Sequence, residues 1–169
     1  IFIIIAFDMN TLLALLLFMI AGLTDYFDGF LARKYNKTSI IGEILDPIAD
    51  KILIIFILFG LAINFSSYLI GFAASLIISR EIWVSALRDF NSRIKNESAT
   101  KVTFLAKTKT SIQLFTILIY LFGLAINNMI IIVFADIFMI IAVLITLYTG
   151  YEYTLKTYQS DILNSDDRL

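Results

Sequence analysis

The chain has 169 residues, 60% of them hydrophobic, and a formal net charge of −1. That much apolar surface exceeds what one small soluble core can hide, which excludes a soluble globular domain and points to an integral membrane protein. Cysteine and histidine are both absent, which excludes a disulfide framework, a thiolate metal centre and histidine acid–base chemistry, and leaves such work to Asp and Glu, with Lys and Arg for anions.

Several apolar runs approach the ~20 residues a helix needs to cross ~30 Å of hydrocarbon. None alternates with the period of two that a membrane barrel requires, so the expected fold class is all-α. The opening "IFIIIAF" is too short to span and reads as the end of a first helix whose start precedes Ile1. After the break "DMN", a second helix is expected from about Thr11 to Tyr35, a third from about Ile44 to Asn64, and a fourth from about Ser67 to Asp89. The polar stretch "FNSRIKNESATKVTFLAK" leads to a fifth, about Thr108 to Ala125, and a sixth spans about Asp136 to Tyr158. The tail, about residues 159–169, is polar, and no internal repeat divides the chain. Residues 1–169 therefore read as a single transmembrane domain, a polytopic six-helix bundle with its first helix truncated.

If the connections alternate sides, all 13 Lys and Arg fall on one side or in the membrane half facing it, while "DMN", "NFSS" and "INNMIIIVFAD" carry none. The positive-inside rule makes the cation-rich face cytoplasmic. Asp136 is expected at the outer interface.

Four aspartates stand out against this background, in "TDYFDGFLARKYNKTSIIGEILDPIADK". Asp25 and Asp28, three apart, share a face of the second helix near its cytoplasmic end, and Asp46 and Asp50, four apart, share a face of the third. The short connection makes these helices antiparallel neighbours, so four carboxylates converge near the membrane surface. Unscreened, a pair at 4 Å repels by roughly 4 kcal/mol at an effective dielectric near 20. Two divalent cations would cancel the formal charge, and oxygen ligands alone suit Mg²⁺ or Mn²⁺. Solvated helix-end charges paired with Arg33, Lys34 and Lys51 would account for one such aspartate, but not for four at this spacing; intramembrane carboxylates are costly and mark function. Gly29 and Ala32 leave a helix face nearly bare for a ligand, or alternatively for helix packing. Arg33 stands at the rim, placed either to hold a phosphate or to snorkel to the interface. Pro47 falls in the first turn of the third helix, where a missing N–H costs little.

As a pattern, the segment is Asp25-x-x-Asp28-Gly29-x-x-Ala32-Arg33, eight residues to Gly42, then Asp46 and Asp50. It resembles the signature of the CDP-alcohol phosphatidyltransferases at every position, and the six-helix layout is similar to that family's. Within the family, "SREIWVSALRDF" and "LAKTKTSIQ" resemble the bacterial phosphatidylglycerophosphate synthases. The resemblance implies transfer of a phosphatidyl group from CDP-diacylglycerol to glycerol 3-phosphate with release of CMP. Two divalent cations, Mg²⁺ or Mn²⁺, would be held by Asp25, Asp28, Asp46 and Asp50, with Asp50 also taking the acceptor's proton. Asp25, Gly29, Ala32, Arg33 and Gly42 would line the cytidine diphosphate pocket. It further implies a homodimer in a bacterial cytoplasmic membrane, with its site facing the cytoplasm, membrane lipid around it and no nucleic acid partner. Arg80, Arg88 and Lys107 are the candidates for the acceptor's phosphate; alternatively Arg88 pairs with Glu81 and the lysines only obey the positive-inside rule. The rival readings are a relative using inositol phosphate, serine or phosphatidylglycerol as acceptor and, more remotely, a divalent-cation carrier.

Overall fold

The computed structural model describes the backbone of residues 1–35, 40–94 and 104–166, and the side chains of 1–25, 27, 48–94 and 108–159. Its helices are α1 (Phe2–Ala6), α2 (Thr11–Tyr35), α3 (Ile40–Asn64), α4 (Tyr68–Arg93), α5 (Phe104–Ala125) and α6 (Met129–Asp166). No strand occurs among the described residues. Among the described residues, three stretches are long and apolar enough to cross a membrane, Tyr68–Arg93, Thr108–Ala125 and Met129–Gln159, and α2 adds an apolar run over Thr11–Asp25. The protein is an all-helical, polytopic membrane protein.

Helix order follows the apolar runs, but helix lengths do not. α3 starts at Ile40, α4 continues to Arg93 and α5 begins at Phe104, because polar residues extend a helix into water at little cost once its apolar part is packed. The largest difference is at α6. "MIIIVFAD", expected within an outer loop, is helical, since Asn128 Oδ1 accepts the amides of Ile130 at 3.0 Å and Ile131 at 3.4 Å and so starts the helix at Met129. Asp136 accordingly moves from the interface to about 10 Å along the α6 axis. There its carboxylate accepts the hydroxyl of fully buried Tyr120 at 2.5 Å.

The connections after α1, α3 and α5 share one design. Asp8, Ser66 and Asn127 take φ of 50°, 48° and 51°. The following amides, of Met9, Ser67 and Asn128, reach back to the carbonyls of Ile4, Ala62 and Gly123 at 3.0, 3.0 and 2.9 Å. This left-handed residue with a bond spanning five positions satisfies the last carbonyls of a helix, and Asn10, Ser67 and Asn128 then cap the next one. The three turns lie at one end of the bundle, tied by Asn64 Nδ2 donating to the Ile5 carbonyl at 2.9 Å and by the Phe65 ring against Tyr120.

The core runs through the middle of the bundle. Ile57 and Leu61 of α3, Ile77 of α4, Ile117 and Leu121 of α5 and Met139 of α6 are each at most 2% exposed. Gly60 lets α1 lie on α3, because a Cβ there would meet the Phe2 carbonyl oxygen at 3.3 Å and Ile5 Cβ at 3.4 Å. Phe72, Phe134 and Leu144 point outward and exposed, as expected where lipid rather than water is the solvent.

Candidate active site

Toward the opposite end the helices turn charge inward. On α4, Ile77, Arg80, Glu81, Val84, Ser85 and Arg88 recur every three or four residues, so they form one face. With Asp50 and Lys51 of α3 and Lys109 and Gln113 of α5, that face encloses a cavity of about 180 Å³.

Glu81 organises the cavity wall. Its Oε1 accepts from Lys109 Nζ and, at 3.0 Å, from Arg80 Nη1, while Lys51 Nζ lies 3.5 Å from Oε2 and 3.3 Å from Ser85 Oγ. Arg80 is also pinned from α6: Nε donates to the Thr146 carbonyl at 3.1 Å and Nη2 to Thr149 Oγ1 at 2.9 Å. Its stem crosses Gly150, where a Cβ would sit 3.0 Å from Arg80 Cγ. Arg80 and Lys109 are each only 6% exposed. Buried cations cost several kcal/mol each unless paired and hydrogen-bonded, and these bonds meet that cost. Arg88 does not take Glu81 as partner; it donates to the Tyr153 hydroxyl at 3.1 Å, its guanidinium 5.2 Å from that ring's centre.

Asp50 faces two spaces. On one side is the basic cavity; on the other is an apolar groove of about 420 Å³ between α2, α3 and α5, lined by Phe18, Met19, Leu23, Leu53, Phe115 and Leu118. Asp25 lines the same groove. Asp25 of α2 and Asp50 of α3 thus border one groove, although among the described residues α2 packs on α1 and α5 and not, as the short connection had suggested, directly on α3. Both are exposed, hence reachable by a ligand. Asp28, Gly29, Ala32 and Arg33 lie on α2 and Gly42 and Asp46 on α3, with side chains outside the described residues, as is that of Lys107 in the first turn of α5. Helical register keeps positions 25 and 28, and 46 and 50, one turn apart.

Lys51, Glu81 and Lys109 fall inside the stretches quoted from the sequence, but their joining into one ion-pair cluster, and the part played by the α6 threonines, were not expected. One signal was present: a carboxylate such as Glu81, between Arg80 and Ile82 in a membrane helix, requires a partner. Which helix supplies it is a matter of tertiary packing.

The pattern of the CDP-alcohol phosphatidyltransferases matches residues 1–148 of this chain. The CDP-diacylglycerol–glycerol-3-phosphate 3-phosphatidyltransferase of Blochmanniella floridana is 44% identical over 109 residues, 64% of this chain and 57% of that protein. Proteins of the same description from Rickettsia bellii and Rickettsia felis are 40% and 39% identical over 143 and 156 residues, covering 84% and 89% of this chain and 77% and 84% of theirs. The stretch aligned to the Blochmanniella protein thus spans little more than half of that protein's length. With the aspartate pattern carried on two helices that both line one groove, and a match over most of its length, this chain belongs to the CDP-alcohol phosphatidyltransferase family.

Proposed function

We propose that the protein transfers the phosphatidyl group of CDP-diacylglycerol to the primary hydroxyl of sn-glycerol 3-phosphate, giving phosphatidylglycerophosphate and CMP. The observation that carries this reading is the position of Asp50 between a basic cavity and an apolar groove. Such a junction suits a reaction whose partners differ as a phosphate-bearing polyol differs from a lipid. The cavity is lined by Lys51, Arg80, Arg88 and Lys109 against Asp50 and Glu81, an excess of two positive charges. A phosphate monoester dianion matches that excess, whereas serine, with no net charge, leaves it uncompensated. Glycerol 3-phosphate is the phosphate-bearing acceptor in the names of the relatives.

The donor's acyl chains lie along the groove beside Phe18, Leu23 and Leu53, while its cytidine diphosphate meets Gly29, Ala32, Arg33 and Gly42. Arg88, exposed at the cavity rim, receives the acceptor's phosphate together with Lys109 and Arg80, and Lys107 draws it in from the start of α5. Asp50 takes the acceptor hydroxyl's proton. The freed oxygen forms its bond to the phosphatidyl phosphorus as the bond from that phosphorus to the CMP oxygen breaks, and CMP leaves with the electron pair. A lone carboxylate is a weak base for an alcohol, so close placement of the reactants supplies much of the acceleration.

The family uses divalent metal ions, and the donor set fits them: Asp25 and Asp50 present carboxylate oxygens to one groove, and the chain has no cysteine thiolate or imidazole to favour a softer metal. Asp25, Asp28, Asp46 and Asp50 would hold two, Mg²⁺ or Mn²⁺, whose chemistry is to offset negative charge on the diphosphate. The lysines and arginines clustered on one side support a site facing the cytoplasm of a bacterial inner membrane, and the family resemblance supports a homodimer.

Purified protein in detergent should release CMP from CDP-diacylglycerol only when glycerol 3-phosphate and a divalent cation are both present. Asp50→Asn should lower kcat by about 10²–10⁴-fold. Equal CMP release without acceptor, or incorporation of serine instead, would overturn this reading.

A further inference from the structure

We propose that Glu81 is the positioning residue of the acceptor site: its carboxylate holds Lys51 and Lys109, from two other helices, at the spacing an incoming phosphate needs. The inference rests on reading the basic cavity as the acceptor's site. Glu81 is itself mostly buried, its side chain 13% exposed, and its oxygens meet cations from α3, α4 and α5. Like charges this close in a poorly solvated wall repel one another. Long lysine stems relieve such repulsion by swinging toward water, and Lys51, with 37% of its side chain exposed, has room to do so. A fixed negative charge between them removes the incentive while leaving the wall positive overall.

Arg80 provides the internal contrast. Threonines of α6 hold it through two further bonds, so it keeps its place without Glu81, whereas the ammonium of Lys109 is tied to Glu81 and that of Lys51 to Glu81 and Ser85. Losing Glu81 therefore loosens the two lysines and spares the arginine. The donor groove, lined from α2, α3 and α5, does not include Glu81. The effect belongs to the acceptor alone.

The test is a split of kinetic constants in Glu81→Gln and Glu81→Asp, purified in detergent beside the wild type. Glu81→Gln should raise KM for glycerol 3-phosphate about tenfold or more, leave KM for CDP-diacylglycerol within about twofold, and weaken competition by inorganic phosphate in step. Glu81→Asp, which restores the charge one methylene shorter, should recover part of the loss, with its acceptor KM still several-fold above wild type. Equal rises in both KM values tracking a fall in Tm, or an unchanged acceptor KM, would overturn the inference. If Glu81→Gln cannot be purified folded, Glu81→Asp decides alone: it must raise acceptor KM several-fold with donor KM unmoved. Calorimetric titration with glycerol 3-phosphate separates the two ideas. Wild type that binds it without turning over refutes the proposed reaction, whereas Glu81→Gln binding it as tightly as wild type refutes the role of Glu81.

Discussion

Single atoms decide much of the site. At Gly150 a methyl group would lie 3.0 Å from Arg80 Cγ and 3.5 Å from Nε, and Arg80 cannot retreat without giving up its bonds to Thr146 and Thr149. Gly150→Ala should cost about 1–3 kcal/mol of stability through overpacking and raise acceptor KM, both measurable in detergent by thermal unfolding and initial rates. Gly22→Ala is the matched control, since nothing lies within 4 Å of its added methyl. At the other end, Tyr120→Phe removes the donor to the Asp136 carboxylate. A half-buried carboxylate left short of a partner should cost about 1–3 kcal/mol with catalysis unchanged, a loss that Asp136→Asn in the same background partly repairs. The helical placement of positions 25 and 28 was legible in the sequence, because their spacing alone puts them one turn apart on α2. Lys109 was not, because a lysine near the start of a helix looks the same whether it neutralises a buried glutamate or merely faces the cytoplasm.

Elements were legible where apolar length sets them and misjudged where capping does. α2 and α5 end at Tyr35 and Ala125 as the hydropathy suggests. α6 begins at Met129, seven residues before Asp136, because the polar pair Asn127 and Asn128 supplies both a left-handed turn and a cap within three residues. Two asparagines followed by an aspartate eight residues on read as the two edges of a loop, and only the capping bonds tell otherwise. The same turn geometry yields a prediction at this scale. Ser66, at φ 48°, should tolerate glycine with little change or a slight gain in stability. Ser66→Ile should cost about 1–2 kcal/mol, the penalty for forcing a side chain into the left-handed region, read as a lower unfolding temperature with wild-type KM values.

For the molecule as a whole, the arrangement sets two opposite environments on either side of Asp50, a basic cavity and an apolar groove, which the proposed reaction would use to separate a soluble anion from a lipid. Gly22→Trp, which places an indole in the groove that Asp25 and Asp50 share, should raise KM for long-chain CDP-diacylglycerol about tenfold, affect a short-chain donor less, and leave acceptor KM unchanged. Mixed-micelle kinetics at fixed surface dilution would check it. The all-helical class and the order of the helices followed from the apolar runs. The meeting of two chemically opposite spaces at one carboxylate did not, because it depends on which helices touch.

The three tight turns after α1, α3 and α5 also limit what the bundle can let through. Each joins its helices with a few residues whose amides and carbonyls are already spoken for, so helix pairs cannot part there without breaking those bonds. A carrier must expose its cargo alternately to two compartments; this protein is a vessel with a sewn base, filled and emptied at its rim. Proteoliposomes containing it should therefore show no uptake of divalent cations, however well the protein binds them.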